Sequence, residues 1–156
     1  MASYQAGKAA DKTVRHAGPN ADGIASMPMR ILIVDDERIL AKNLKAYLSR
    51  LAADVRTAGN GEEAIEMLDT FTPDALVLDY GLPGINGLQT YAEIVRRRAK
   101  SVDCVMITGN PTEQLALDAH EKGIRHLVCK PFSFSELRRL LEMPVPGSIN
   151  DAPRLE

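Results

Sequence analysis

Residues Leu76–Leu88, LVLDYGLPGINGL, decide the fold. Ala75 to Leu78 form an apolar run that does not alternate with polar residues, and it ends in Asp79. Such a run reads as a strand covered on both faces. Gly81, Pro83 and Gly84 then mark a turn. Asn86 stands three residues before Gln89, an N-cap with an acceptor at the third helical position. Leu88, Ala92 and Val95 follow at helical spacing. The segment is therefore a buried strand passing through a loop into a helix.

The same pattern recurs on either side. Strand-like runs occupy Arg30–Asp35, Asp54–Ala58, Cys104–Thr108 and His126–Lys130. Helical stripes comprise Leu40, Leu44, Leu48 and Leu51; Ala64, Leu68 and Phe71; and Phe134, Leu137 and Leu141. The stripe between the last two strands is thin, with only Leu115, Ala116 and Ala119. Asn60, Asn110 and Ser133 each precede a Glu by three residues and are predicted as N-caps, with Pro111 in a first turn and Gly123 as a left-handed terminator. Five strands alternating with five helices predict an α/β fold: a doubly wound, five-stranded parallel sheet with helices on both faces and right-handed crossovers.

The domain is expected to span residues 29–142, flanked by flexible tails at 1–28 and 143–156. The first has no apolar period, and the second carries Pro144, Pro146, Pro153 and Gly147. The 156 residues are 45% hydrophobic and 26% charged, with net charge −2, which excludes collagen-like and wholly disordered chains. No surface devoted to polyanions is implied. The basic run Arg96, Arg97, Arg98 and Lys100 reads as cations at a helix carboxyl end, so no direct nucleic-acid contact is expected. No apolar run is long enough to span a membrane, and the amino end shows no apolar h-region, so no secretory signal is expected. Cys104 and Cys129 lie in apolar runs and read as buried, reduced thiols, which points to the cytoplasm.

In such sheets ligands bind beyond the carboxyl ends of the strands. The first strand there delivers Asp35 and Asp36, followed by Glu37; the third delivers Asp79, the fourth Thr108 and the fifth Lys130. A single aspartate at a strand end is usually a turn residue or a cap. Several at one edge are a different matter, because carboxylates this close repel unless a cation sits among them. Hard oxygen donors in an open site suit Mg²⁺. Together with an ammonium and a hydroxyl this is phosphoryl-transfer chemistry. Asp79 is the natural nucleophile, and Asp35 and Asp36 are the natural metal ligands.

LIVDDE (Leu32–Glu37), LVLDYGLPGINGL, ITGN (Ile107–Asn110) and VCKPF (Val128–Phe132) resemble, in order and spacing, the receiver domain of bacterial two-component response regulators. The resemblance implies a flavodoxin-like sheet with strand order 2-1-3-4-5. It makes Asp79 the phosphoacceptor, with Thr108 and Lys130 completing the catalytic set. Mg²⁺ would be held by Asp35, Asp36, Asp79 and the backbone carbonyl of Gly81. Lys130 would pair with Asp79, and the Lys130–Pro131 bond would be cis. The phosphodonor would be a sensor histidine kinase, a histidine phosphotransfer protein or a small acyl phosphate. Thr108 would be the switch residue, and the face formed by the fourth helix, fifth strand and fifth helix would address a downstream protein or an output domain. Where the family usually carries a switch aromatic, this chain has Leu127. The phosphorylation signal would then be weakened or carried by the backbone. The sequence leaves a homodimer open, and likewise whether the chain is a stand-alone receiver or a piece of a longer regulator.

A receiver would turn over no metabolite, performing only self-phosphorylation and self-dephosphorylation. The alternative is a phosphatase of the haloacid dehalogenase type, which needs a second acid two positions after its nucleophile. Gly81 stands there and disfavours it.

Overall fold

The computed structural model describes residues 28–51 and 53–143. The strands are β1 (Met29–Val34), β2 (Ala53–Ala58), β3 (Ala75–Asp79), β4 (Asp103–Thr108) and β5 (His126–Cys129). They alternate with α1 (Arg38–Ser49), α2 (Gly61–Met67), α3 (Gly87–Arg98), α4 (Glu113–Glu121) and α5 (Phe134–Leu140). All pairings are parallel, in the order β2-β1-β3-β4-β5. This is the doubly wound arrangement expected from the alternation.

Successive strand residues point to opposite faces, and the two faces carry separate cores. Leu32, Val34, Leu76, Leu78 and Met106 pack with Ala64, Tyr91, Ile94 and Leu115, on the side of α2, α3 and α4. Ile31, Ile33, Val77, Val105 and Ile107 pack with Leu44, Leu48 and Leu137, on the side of α1 and α5. Every residue of β3 is buried because the strand is central and covered on both faces. That explains the unbroken apolar run that ends at Asp79.

Four details differ from the sequence reading. The buried stripe of α3 is Leu88, Tyr91 and Ile94, and Ala92 is exposed. Larger side chains bury more apolar area and so decide the facing arc. On α4, Ala116 is likewise exposed, leaving Leu115 and Ala119 as its only buried residues. The N-cap of α4 is Thr112, whose hydroxyl accepts from Leu115 N; the Asn110 amide donates to Thr108 Oγ1 in the preceding turn, so the helix starts later. Cys104 is buried, but Cys129 is exposed where β5 runs out at the sheet edge.

Asn60, Asn86 and Ser133 are N-caps as predicted, Asn86 in a complete capping box with Gln89. Gly123 takes φ +97° just after α4. Met143, expected in the tail, is buried against the α1–α5 core. Apart from Pro28 and Met143, the two expected tails lie outside the described residues.

Candidate functional site

Parallel pairing brings the ends of β1, β3, β4 and β5 to one edge. Val34 pairs with Leu78, Asp79 with Ile107, and Thr108 with Cys129. Asp35, Asp36, Asp79, Thr108 and Lys130 therefore emerge side by side. Asp35, Asp36 and Asp79 each place a carboxylate oxygen within 4.8 Å of the others. Asp35, Asp79 and Thr108 are buried, while Asp36 is exposed.

The loops fix these groups. The Glu37 amide donates to Asp35 Oδ1 at 2.8 Å, and the Gly81 amide donates to Asp79 Oδ1 at 3.3 Å. After Asp79 the chain turns so that Gly87 N donates to Tyr80 O at 2.8 Å, seating the start of α3 on the end of β3. A Cβ on Gly87 would lie 2.6 Å from the Asp79 carbonyl oxygen, so only glycine permits this approach. Thr108 Oγ1 accepts the Asn110 amide at 3.0 Å. Lys130 N donates to Thr108 O at 2.8 Å, coupling the β4 and β5 ends through the backbone.

The Lys130 ammonium enters from β5. It lies 3.5 Å from Asp79 Oδ2 and 3.4 Å from Asp35 Oδ2, as expected of a group neutralising the site. Its shortest contact is one the sequence reading did not assign, Glu37 Oε1 at 2.6 Å. The Lys130–Pro131 bond is cis.

Electrostatics match this crowding. Burial raises the Asp79 carboxyl above the usual aspartate range; Asp36 adds to the effect, while Lys130 and the Gly81 amide oppose it. Burial likewise raises Asp35, with the Asp79 charge adding and the Glu37 amide and Lys130 opposing. Burial works against the Lys130 ammonium, but the Glu37 hydrogen bond and the Asp35 and Asp79 charges outweigh it and raise its pKa. These are the signs expected of an acidic cluster with less positive charge than it can accept.

Leu127 is half-buried, paired beside Met106 and packed against the core under α3 and α4. Gly81 carries no side chain, so the second acid of the dehalogenase-type phosphatase is missing. The three arginines of the basic run at the end of α3 are engaged locally. Arg96 and Arg97 pair with Glu93, and Arg98 donates to the Pro73 carbonyl.

Fold and site together define a class: doubly wound α/β domains with an acidic pocket beyond the first and third strands, flanked by a hydroxyl and a lysine. Comparison with known proteins makes it specific. The profile of the response regulator receiver domain matches residues 31–142, and the chain belongs to that family, the receivers of two-component systems. Transcriptional regulatory protein PdtaR of Mycobacterium tuberculosis is 31% identical over 129 residues, 82% of this chain and 62% of that protein. Response regulator MprA of a Mycobacterium strain is 31% identical over 133 residues, 83% of this chain and 57% of that protein. The chain thus spans less than two thirds of these relatives.

Among solved structures, a CheY-like receiver domain protein from Methanospirillum hungatei shares the fold. Its TM-score is 0.69 at 21% identity, over 74% of this chain and 91% of that one. The BeF3-activated DrrB receiver domain matches with a TM-score of 0.64 and 26% identity, over 74% and 99% of the two chains. Among the described residues no helix is long and apolar enough to cross a membrane.

Proposed function

We propose that Asp79 is the phosphoacceptor of a cytoplasmic two-component relay. The observation that carries this is the convergence of Asp79 with Asp35 and Asp36, with the Lys130 ammonium 3.5 Å from the Asp79 carboxylate. A sensor kinase or histidine phosphotransfer protein offers phosphohistidine. An Asp79 oxygen bonds to phosphorus as the P–N bond breaks, and the leaving imidazole keeps the electron pair and takes a proton. Water later attacks phosphorus, the bond from phosphorus to the Asp79 oxygen breaks, and inorganic phosphate leaves as the carboxylate is restored. Beyond this self-modification the domain turns over no metabolite.

The donor set fits a hard divalent cation. Asp35, Asp36, Asp79 and the Gly81 carbonyl would hold Mg²⁺, which when bound supplies positive charge against the carboxylates and the phosphoryl oxygens. Asp79 is held by the Gly81 amide, which orients the attacking carboxylate. Lys130 gives the equatorial oxygens a fixed cation. Gly109 leaves room beside the site, since a Cβ there would meet nothing within 4 Å.

The added charge draws in the Thr108 hydroxyl, which donates to a phosphoryl oxygen and gives up the bond it accepts from the Asn110 amide. Helix α4 buries only Leu115 and Ala119, so it shifts at little packing cost. Leu127 offers no aromatic swap, and the backbone bond from Lys130 to Thr108 supports a main-chain route to β5. The face of α4, β5 and α5 then addresses a downstream protein, an output domain of a longer regulator or a second copy of the chain. The test is intact mass after treatment with acetyl phosphate. Wild type should gain one phosphoryl group only when Mg²⁺ is present, and Asp79→Asn none. Equal labelling of both overturns the assignment.

A further inference from the structure

We propose that Glu37 is a positioning residue that holds the Lys130 ammonium toward the rim of the site until an incoming phosphoryl group displaces it. The inference rests on the phosphoacceptor reading of Asp79 and adds a step to it. Lys130 Nζ has three carboxylate neighbours, and it is not closest to the nucleophile. It lies 2.6 Å from Glu37 Oε1, against 3.4 Å from Asp35 and 3.5 Å from Asp79. The Glu37 side chain is 58% exposed and that of Asp79 is 7% exposed, so the shortest bond pulls the ammonium outward.

The geometry of Glu37 supports the role. It is the extended N-cap of α1, its amide is tied to Asp35 Oδ1, and its side chain makes no cap bond. Its carboxylate is thus left for Lys130, across 93 residues of sequence. The pair is partly exposed and therefore weak enough to break. A phosphoryl oxygen is a stronger acceptor for the same ammonium. Phosphoryl arrival thus costs one ion pair, and Glu37 sets that cost. A shorter or uncharged side chain at this position leaves Lys130 free to meet the phosphodonor.

Two variants separate reach from charge. Glu37→Asp keeps the charge but loses one methylene, while Glu37→Gln keeps the reach and loses the charge. In the metal-free protein, exchange of the Lys130 ammonium protons with water is read by ¹⁵N-resolved NMR. Loss of the pair should speed exchange about two- to fivefold in both variants, the range typical of exposed ion pairs. With acetyl phosphate and saturating Mg²⁺, both should lower the apparent donor KM by a similar factor with little change in maximal rate.

Unchanged exchange in both variants overturns the proposal. So does a change in Glu37→Asp alone, because an uncharged side chain of the same reach would then hold Lys130 without an ion pair. Failure of the underlying reading shows separately, as phosphoryl labelling of Asp79→Asn.

Discussion

Adding one methyl group at Gly87 should damage both the fold and the site. The Cβ of Gly87→Ala would lie 2.7 Å from Tyr80 Cα and 2.6 Å from the Asp79 carbonyl oxygen. An unstrained carbon–carbon contact is about 3.5 Å, so the backbones must part by about 0.8 Å. Neither neighbour is a flexible side chain. Parting them stretches the 2.8 Å bond from Gly87 N to Tyr80 O and lifts Leu88, Tyr91 and Ile94 from their core. Overpacking of this kind costs about 1–3 kcal/mol, and alanine returns up to about 1 kcal/mol of helix propensity. Set against the middle of the first range, the full return leaves a net loss of about 1 kcal/mol, or a fall in Tm of roughly 4 °C for a domain of this size. The chain has no tryptophan, so circular dichroism during urea and thermal unfolding is the assay. Gly59→Ala is the control, because its nearest neighbour is Glu63 Oε1 at 3.6 Å, an ordinary contact. A Gly87→Ala protein as stable as the control would refute the reasoning. Since the clash falls on the carbonyl of Asp79, the same variant should also phosphorylate more slowly.

Further outcomes follow from the same geometry. Burial raises the Asp79 carboxyl, so above the ordinary aspartate pKa of 3.8 the folded state binds more protons than the unfolded one, and stability falls as pH rises through that window. Metal-free Asp79→Asn should therefore melt above wild type at pH 7, with the gap closing toward pH 4; a lower Tm at pH 7 would contradict this. Mg²⁺ should raise the Tm of wild type more than that of Asp79→Asn, because ligands that bind only the folded state stabilise it; equal shifts in a thermal melt would count against the site. Asn86→Ala removes the capping box of α3 and should cost about 0.5–2 kcal/mol in urea unfolding. Tyr91→Phe removes a buried bond to the Val102 carbonyl, 3.1 Å long, and should cost about 0.5–1.5 kcal/mol by the same assay.

The sheet was legible because a strand buried on both faces has a simple signature, and β3 shows it without interruption. The site was legible because parallel strands deliver their last residues to one edge, so Asp35, Asp36, Asp79, Thr108 and Lys130 needed no contact information to be grouped. What escaped depends on geometry between equivalent choices. Asn110 and Thr112 are both good cap residues, and the Thr108–Asn110 turn decided for Thr112. Ala92 fits the helical period of α3 as well as Tyr91 does, but it has little area to bury. Cys129 looked apolar by its neighbours, while its place at the end of an edge strand exposes it. The bond between Glu37 and Lys130 joins residues far apart in sequence, and nothing in either segment alone announces it.

The most direct measurement is to trap the acyl phosphate chemically. Borohydride reduces an aspartyl phosphate to homoserine, which fragment mass spectrometry locates. After treatment with acetyl phosphate and Mg²⁺, the account predicts homoserine at position 79 alone, and none when Mg²⁺ is omitted. Homoserine at Asp35 or Asp36 with Asp79 intact would contradict it.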